Sequence, residues 1–295
     1  MKIYGGIMIM SRYYLDTNAL YALSNCMDKF TNKDCVNISL LNIQELTSKI
    51  KDERDFVKRR KTIKKIRENN LNIYPYIPIE CVAQAFKLDI SEIPWVKDLK
   101  VSILKQAKIM SSSETLDEYS DRLQEEGINL FEYLESNKKI KTEIFINLNK
   151  ELDISKKEYN SIKKEQKEEI KYIKLDLEEV FGLKESKAEY EKEKMLLITT
   201  LNSCNISYTD EDIENILSLY NGELTAYLLG IELYNFEKCS TGKCAGKNDL
   251  LDITHLLYLR NENDIIVSSD KIFKVSTMLS QRISIEEFKK HRIKL

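Results

Sequence analysis

The stretch YYLDTNALYAL, residues 13–23, decides how the chain folds. Its opening, YYLD, has the aromatic and apolar content of a buried strand, and it ends on an acid, Asp16, followed by Thr17 and Asn18. Downstream, CVNISL (35–40) and NIYPYI (72–77) read as further strands. Between them, LNIQELTSKI (41–50) and DFVKRRKTIKKIREN (55–69) have helical spacing. Strand, helix, strand, helix, strand opens an α/β unit on a mostly parallel sheet. The pattern returns near the other end. A turn-rich loop, EKCSTGKCAGKN (237–248), leads into a helix, DLLDITHLLYLRNEN (249–263), then a strand, DIIVSS (264–269). A short helix from Asp270 and a last strand, RISI (282–285), follow.

The middle has no strand pattern. Its helices announce themselves by caps, Thr115 three before Glu118 and Thr209 three before Asp212. The segment KKEYNSIKKEQKEEIKYIK (156–174) reads as a solvated helix laced with i,i+4 pairs, or as a Lys-lined face for a phosphate backbone. The expected architecture is a parallel-sheet α/β/α domain made of residues 1–85 and 236–295, interrupted by a helical insertion or subdomain over 86–235.

Composition narrows the function. The 295 residues include 46 Lys plus Arg and 48 Asp plus Glu, so the net charge of −2 excludes a uniformly basic wrapper of nucleic acid. An apolar content of 42 % excludes a disordered chain. No run approaches the ~20 apolar residues of a membrane helix, and MKIYGGIMIM is too short and Gly-broken for a signal peptide. The expectation is a cytoplasmic protein without a membrane partner. The six cysteines are scattered and read as reduced thiols. Cys239 and Cys244 lie close together in CSTGKC, but without the further ligands that zinc requires, and the neighbouring Gly-Lys lacks P-loop spacing.

Five acids stand where chemistry is usually placed. Asp16 ends a strand, at the edge where open sheets bind ligands, although an Asp there also caps helices. Glu45 follows the second strand on a helix, where Asn42 is its capping-box partner by spacing. Asp249 and Asp252 are three apart in an otherwise apolar helix and share a face, an unfavourable pairing unless a cation neutralises it. Asp270 follows a strand and precedes Lys271, as a helix cap also would. Carboxylates without accompanying Cys or His suit Mg²⁺ or Mn²⁺ rather than zinc. One of the two histidines, His255, lies one turn after Asp252 and is expected to bond it. KRRKTIKKIR (58–67) holds seven basic residues in ten, and Lys58, Arg59, Arg60, Lys64 and Lys65 are the expected nucleic-acid surface.

Four segments together, YYLDTNALYAL, SLLNIQELTSKI (39–50), NDLLDITHLLYL (248–259) and DIIVSSDKIF (264–273), resemble the PIN-domain ribonuclease family. The resemblance covers residues 11–80 and 245–290, about half the chain. It implies a Mg²⁺- or Mn²⁺-dependent endoribonuclease acting on single-stranded RNA, with metal-bound water attacking the scissile phosphate to leave 3′-hydroxyl and 5′-phosphate ends. It also implies the metal ligands Asp16, Glu45, Asp249 or Asp252, and Asp270, with Asn18 and Ser268 or Ser269 (here Ser269) as polar supports. Asp16, Asp252 and Asp270 are the expected principal ligands, Asp249 and Glu45 serve a second ion or its waters, and Lys271 contacts substrate phosphate. A haloacid-dehalogenase-like phosphatase needs Asp-x-Asp where this chain has Asp16-Thr17-Asn18. A structure-specific DNA nuclease and an inactive protein-binding scaffold are the remaining alternatives. The helical middle is a substrate clamp, a homo-oligomer interface or a dock for another protein.

Overall fold

A computed structural model of the chain describes residues 2–4, 7–9, 11–128, 150, 157, 187–241, 246, 249–261, 263–270, 273 and 282–293. Residues 2–4 (β1) and 7–9 (β2) pair antiparallel as a small sheet of their own. The principal sheet is built from β3 (Arg12–Leu15), β4 (Val36–Ser39), β5 (Asn72–Tyr74), β6 (Asp264–Val267) and β7 (Arg282–Ile283). These strands are all parallel, in the order β5-β4-β3-β6-β7. The chain is therefore an α/β protein with a parallel sheet, closed by sequence from both ends.

Helices follow the strands. They are α1 (Thr17–Leu23), α2 (Leu40–Thr47), α3 (Glu53–Glu68), α4 (Pro78–Ala85), α5 (Pro94–Ser112) and α6 (Leu116–Glu125). Beyond the middle come α7 (Lys187–Ser203), α8 (Asp210–Ser218), α9 (Thr225–Thr241), α10 (Asp249–Thr254) and α11 (Ile285–Arg292). Thr115 and Thr209 cap α6 and α8 at the positions their spacing predicts. Three boundaries differ from the sequence expectation for local reasons. Residues 72–77 stop being a strand at Tyr74, where Pro75 has no N–H for the ladder. RISI keeps only two strand residues because Ser284 and Glu287 form the capping box of α11. Asn42 does not pair with Glu45. It is the third residue of α2 and closes a capping box with Ser39.

Strand alternation divides the apolar residues between two faces. Tyr13, Leu15, Val36, Ile38 and Val267 join a core with α1, α2, α3, α5, α6 and α11, while Tyr14 and Ile266 join one with α4, α7, α8, α9 and α10. The middle of the chain contributes to both, through Val96, Ile103 and Tyr119 on one side and Leu197, Ile213 and Leu224 on the other. Its described helices pack against the helices that flank the sheet, α5 on α2 and α3 and α7 on α4. Segment 156–174, apart from residue 157, and the helix expected from Asp270, with Lys271, lie outside the described residues. Among the described residues no helix is long and apolar enough to cross a membrane.

Candidate functional site

The sheet order reverses between β3 and β6, and connections leaving the carboxyl ends of such strands diverge and leave a crevice. A cavity of about 480 Å³ opens there. Asp16 and Asn18 reach it from the end of β3, Glu45 from α2, Asp252 and His255 from α10 and the following 3₁₀ turn, and Asp270 from the end of β6. Sequence segments as far apart as residues 16 and 270 thus bring four of the five expected acids to one place.

Asp16 is buried and caps α1, its Oδ1 accepting the Ala19 amide at 2.5 Å. Its Oδ2 accepts the Ser268 hydroxyl, and Ser268 Oγ in turn accepts the Asp270 amide at 2.9 Å. One serine therefore ties the two strand-end acids together. That residue is Ser268; the expected support Ser269 is exposed.

Glu45 sits in a closed ring of side-chain hydrogen bonds. His255 Nε2 meets Glu45 Oε2 at 3.1 Å, and His255 Nδ1 meets the Tyr14 hydroxyl at 2.6 Å. Tyr14 meets Ser39 Oγ at 2.8 Å, and Ser39 donates to Asn42 Oδ1 at 3.0 Å. Asn42 Nδ2 donates to Thr17 Oγ1 at 3.1 Å, and Thr17 donates to Glu45. His255 is thus the partner of Glu45, not of Asp252 as its helical spacing suggested. Gly230 lets α9 come close to the turn that carries His255, since a Cβ there would lie 2.3 Å from Leu256 Cδ1.

Burial sets the protonation tendencies of the cavity's acids. Burial, reinforced by Asp270, Glu45 and Asp249 and opposed by His255, pushes Asp252 up to about 7. Burial also raises Asp16, against the hydrogen bonds from Ser268 and Ala19. Burial works against a charged His255, but Glu45, Asp16 and Asp252 outweigh it and leave the imidazole raised. Asp249 behaves in the opposite way. Although burial opposes its charge, Lys238 Nζ at 2.8 Å, Tyr234 OH at 2.7 Å and the Gly246 amide at 2.8 Å hold its carboxyl below the usual range. Asp249 does not line the cavity; it anchors α10 to α9.

The basic face of α3 is mostly elsewhere. Of its residues only Arg59 lines the cavity, and its guanidinium is occupied with the Glu45 and Ser48 carbonyls and Asp55 rather than offered to a ligand. Lys58 Nζ sits 4.0 Å over the Tyr21 ring, and Lys65 pairs with Glu68. Arg60 and Lys64 are half-buried outside the cavity. The cations at the cavity wall that sequence reasoning missed are Lys49 and Lys51, in a connection with no motif to announce it. Thr17, Ser39 and Tyr14 were also missed. Only Thr17 had a signal, its place beside Asp16.

The donors suit a hard divalent ion, being carboxylate oxygens, two of them raised chiefly by burial. Among the described residues no three acidic, His or Cys side chains already form a closed ion-holding group. Asp16 and Glu45 are turned to their hydroxyl and imidazole partners. Compared with protein-family models, with curated proteins and with solved structures, the chain matches none.

Proposed function

We propose that this protein is a Mg²⁺- or Mn²⁺-dependent endoribonuclease of the PIN-domain kind, hydrolysing phosphodiester bonds of single-stranded RNA. The observation that carries this reading is the meeting of Asp16, Glu45, Asp252 and Asp270 in one cavity at the switch point, where burial and the neighbouring acids push Asp252 up to about 7. Asp16, Asp252 and Asp270 would hold the ion. When bound, it lowers the pKa of a water and neutralises charge developing on the scissile phosphate. Ser268 fixes the separation of the Asp16 and Asp270 segments, and the Tyr14–His255 pair with Thr17 fixes Glu45 at the cavity wall. The resemblance of the four motif segments to PIN-domain ribonucleases supports the choice of RNA as substrate.

The test is cleavage of mixed single-stranded RNA and DNA oligonucleotides with Mn²⁺ or with EDTA, by the wild type and by the Asp16→Asn and Asp270→Asn variants. RNA cleavage that needs Mn²⁺ and falls by at least about a hundredfold in each variant is expected. Cleavage of DNA alone would move the substrate. Neither cleavage nor thermal stabilisation by Mn²⁺ would remove the metal site itself.

A further inference from the structure

The cavity's lining carries both signs of charge. Beside the carboxylates it includes Lys49 and Lys51, from the connection between α2 and α3. Among the described residues neither ammonium group makes an ion pair. The backbone that carries them is nevertheless tightly held. Arg59 Nη1 donates to the Glu45 carbonyl at 2.6 Å and to the Ser48 carbonyl at 2.7 Å, and its Nη2 reaches the Lys49 carbonyl at 3.5 Å. Tyr119 OH donates to the Thr47 carbonyl at 3.0 Å, and the Lys51 amide donates to Asp55 at 3.1 Å. Lys49 itself has φ of 53°, a left-handed conformation that a lysine keeps only where its surroundings impose it. One guanidinium therefore sets both the backbone of the acid Glu45 and that of Lys49.

We infer that Lys49 and Lys51 form a subsite of this cavity that grips the phosphodiester backbone of a single-stranded nucleic acid. This rests on the nuclease reading. A small free anion gains nothing from the acidic wall. A strand with one phosphate at the acids and another at the lysines uses both sets of residues. Lysine ammonium groups act as point charges, so the grip is independent of base sequence.

Binding of a short labelled single-stranded RNA, followed by fluorescence anisotropy in EDTA across a salt series, tests this directly. The Lys49→Gln/Lys51→Gln variant is expected to bind roughly tenfold more weakly, with the slope of log affinity against log salt reduced by about 1.4, near 0.7 for each lost phosphate contact. A DNA strand of the same length shows the same loss. With Mn²⁺ present, KM rises while kcat holds, the mark of uniform binding. A Lys29→Gln/Lys290→Gln variant, matched in charge, exposed and outside the cavity, keeps the wild-type slope. In the wild type, bound RNA protects Lys49 and Lys51 from amine acetylation, a readout that needs no variant to fold. Unchanged binding and KM in the Lys49/Lys51 variant of a protein that cleaves RNA would overturn the subsite alone. An equal loss in the Lys29/Lys290 variant would also overturn it, replacing the subsite by diffuse charge. A wild type that neither binds nor cleaves overturns the nuclease reading and the subsite together.

Discussion

The two ends of the β3–β6 strand pair bury acids equally and treat them differently. At the amino end Asp264, 4 % exposed, accepts both Nε and Nη2 of Arg12, at 2.7 and 3.1 Å, and the amides of Arg260 and Asn261. At the carboxyl end Asp16, 3 % exposed, has one amide and one hydroxyl, and it shares a cavity with Glu45, Asp252 and Asp270. Burial alone therefore does not separate a structural acid from a reactive one. The number and charge of the donors around it do. Asp264 is complete as it stands, whereas the acids at the other end share His255 among them and still leave Asp252 raised.

The largest effects come from exchanging single oxygens for amides at each end. Asp270→Asn is expected to abolish Mn²⁺-dependent cleavage while melting close to wild type. Asp264→Asn is expected to cleave normally per folded molecule and to lose about 1–3 kcal/mol in urea unfolding, since Arg12 and two amides lose their carboxylate. An Asp270→Asn protein with full activity, or an Asp264→Asn protein with full stability, breaks the comparison.

A smaller effect with opposite signs is expected three residues apart on α10. Asp252, raised to about 7, is protonated in the fold at pH values where the unfolded chain has already ionised. Its ionisation therefore costs stability as pH rises from about 4 through 7. In EDTA near pH 8, Asp252→Asn should raise the melting midpoint by a few degrees, a gain that shrinks as pH falls and disappears only near pH 4. Asp249 is lowered, so its charge contributes stability above the unfolded pKa, and that contribution is lost as pH falls through the folded value. Asp249→Asn should lower the midpoint near pH 8. Thermal melts of both variants across pH check this, and equal signs would mean that the two acids share one environment.

The parallel sheet was legible because buried strands such as YYLD and DIIV carry their apolar content in sequence, and because strands alternated with helical spacing at both ends of the chain. Asp16 and Asp270 were legible for the same reason, since an acid directly after a buried strand breaks the pattern. Asp249 and Asp252 were not separable, because a shared helix face does not reveal which carboxylate has Lys238 as a neighbour. The role of Arg59 was misread because a basic run looks like a solvated surface, while Arg59 turns inward to the carbonyls that end α2. Lys49 and Lys51 gave no signal, their position being set by tertiary hydrogen bonds alone. The helical middle looked separable because it has no strands. Its apolar residues join the same two cores as the strands and pack against the flanking helices, contacts that no local pattern announces.

The smallest expected effect is in the ring behind Glu45. Tyr14 stacks on Tyr258 with centroids 5.1 Å apart and planes within 10°, a contact that phenylalanine keeps. Tyr14→Phe therefore removes only the hydroxyl, leaving His255 Nδ1 and Ser39 Oγ each one partner short. The loss in folding stability should be about 1 kcal/mol. If the ring only fills space, the effect ends there. If it aims Glu45 at the cavity, the same loss is felt when an ion binds, and Mn²⁺ affinity should fall roughly fivefold by calorimetry, the equivalent of about 1 kcal/mol. Arg12→Lys at the opposite end of the sheet gives the contrast, lowering stability without touching Mn²⁺ affinity. A Tyr14→Phe protein that is destabilised but binds Mn²⁺ as tightly as wild type would make the ring a feature of the core, and Glu45 would then owe its position to Thr17 and the backbone of α2.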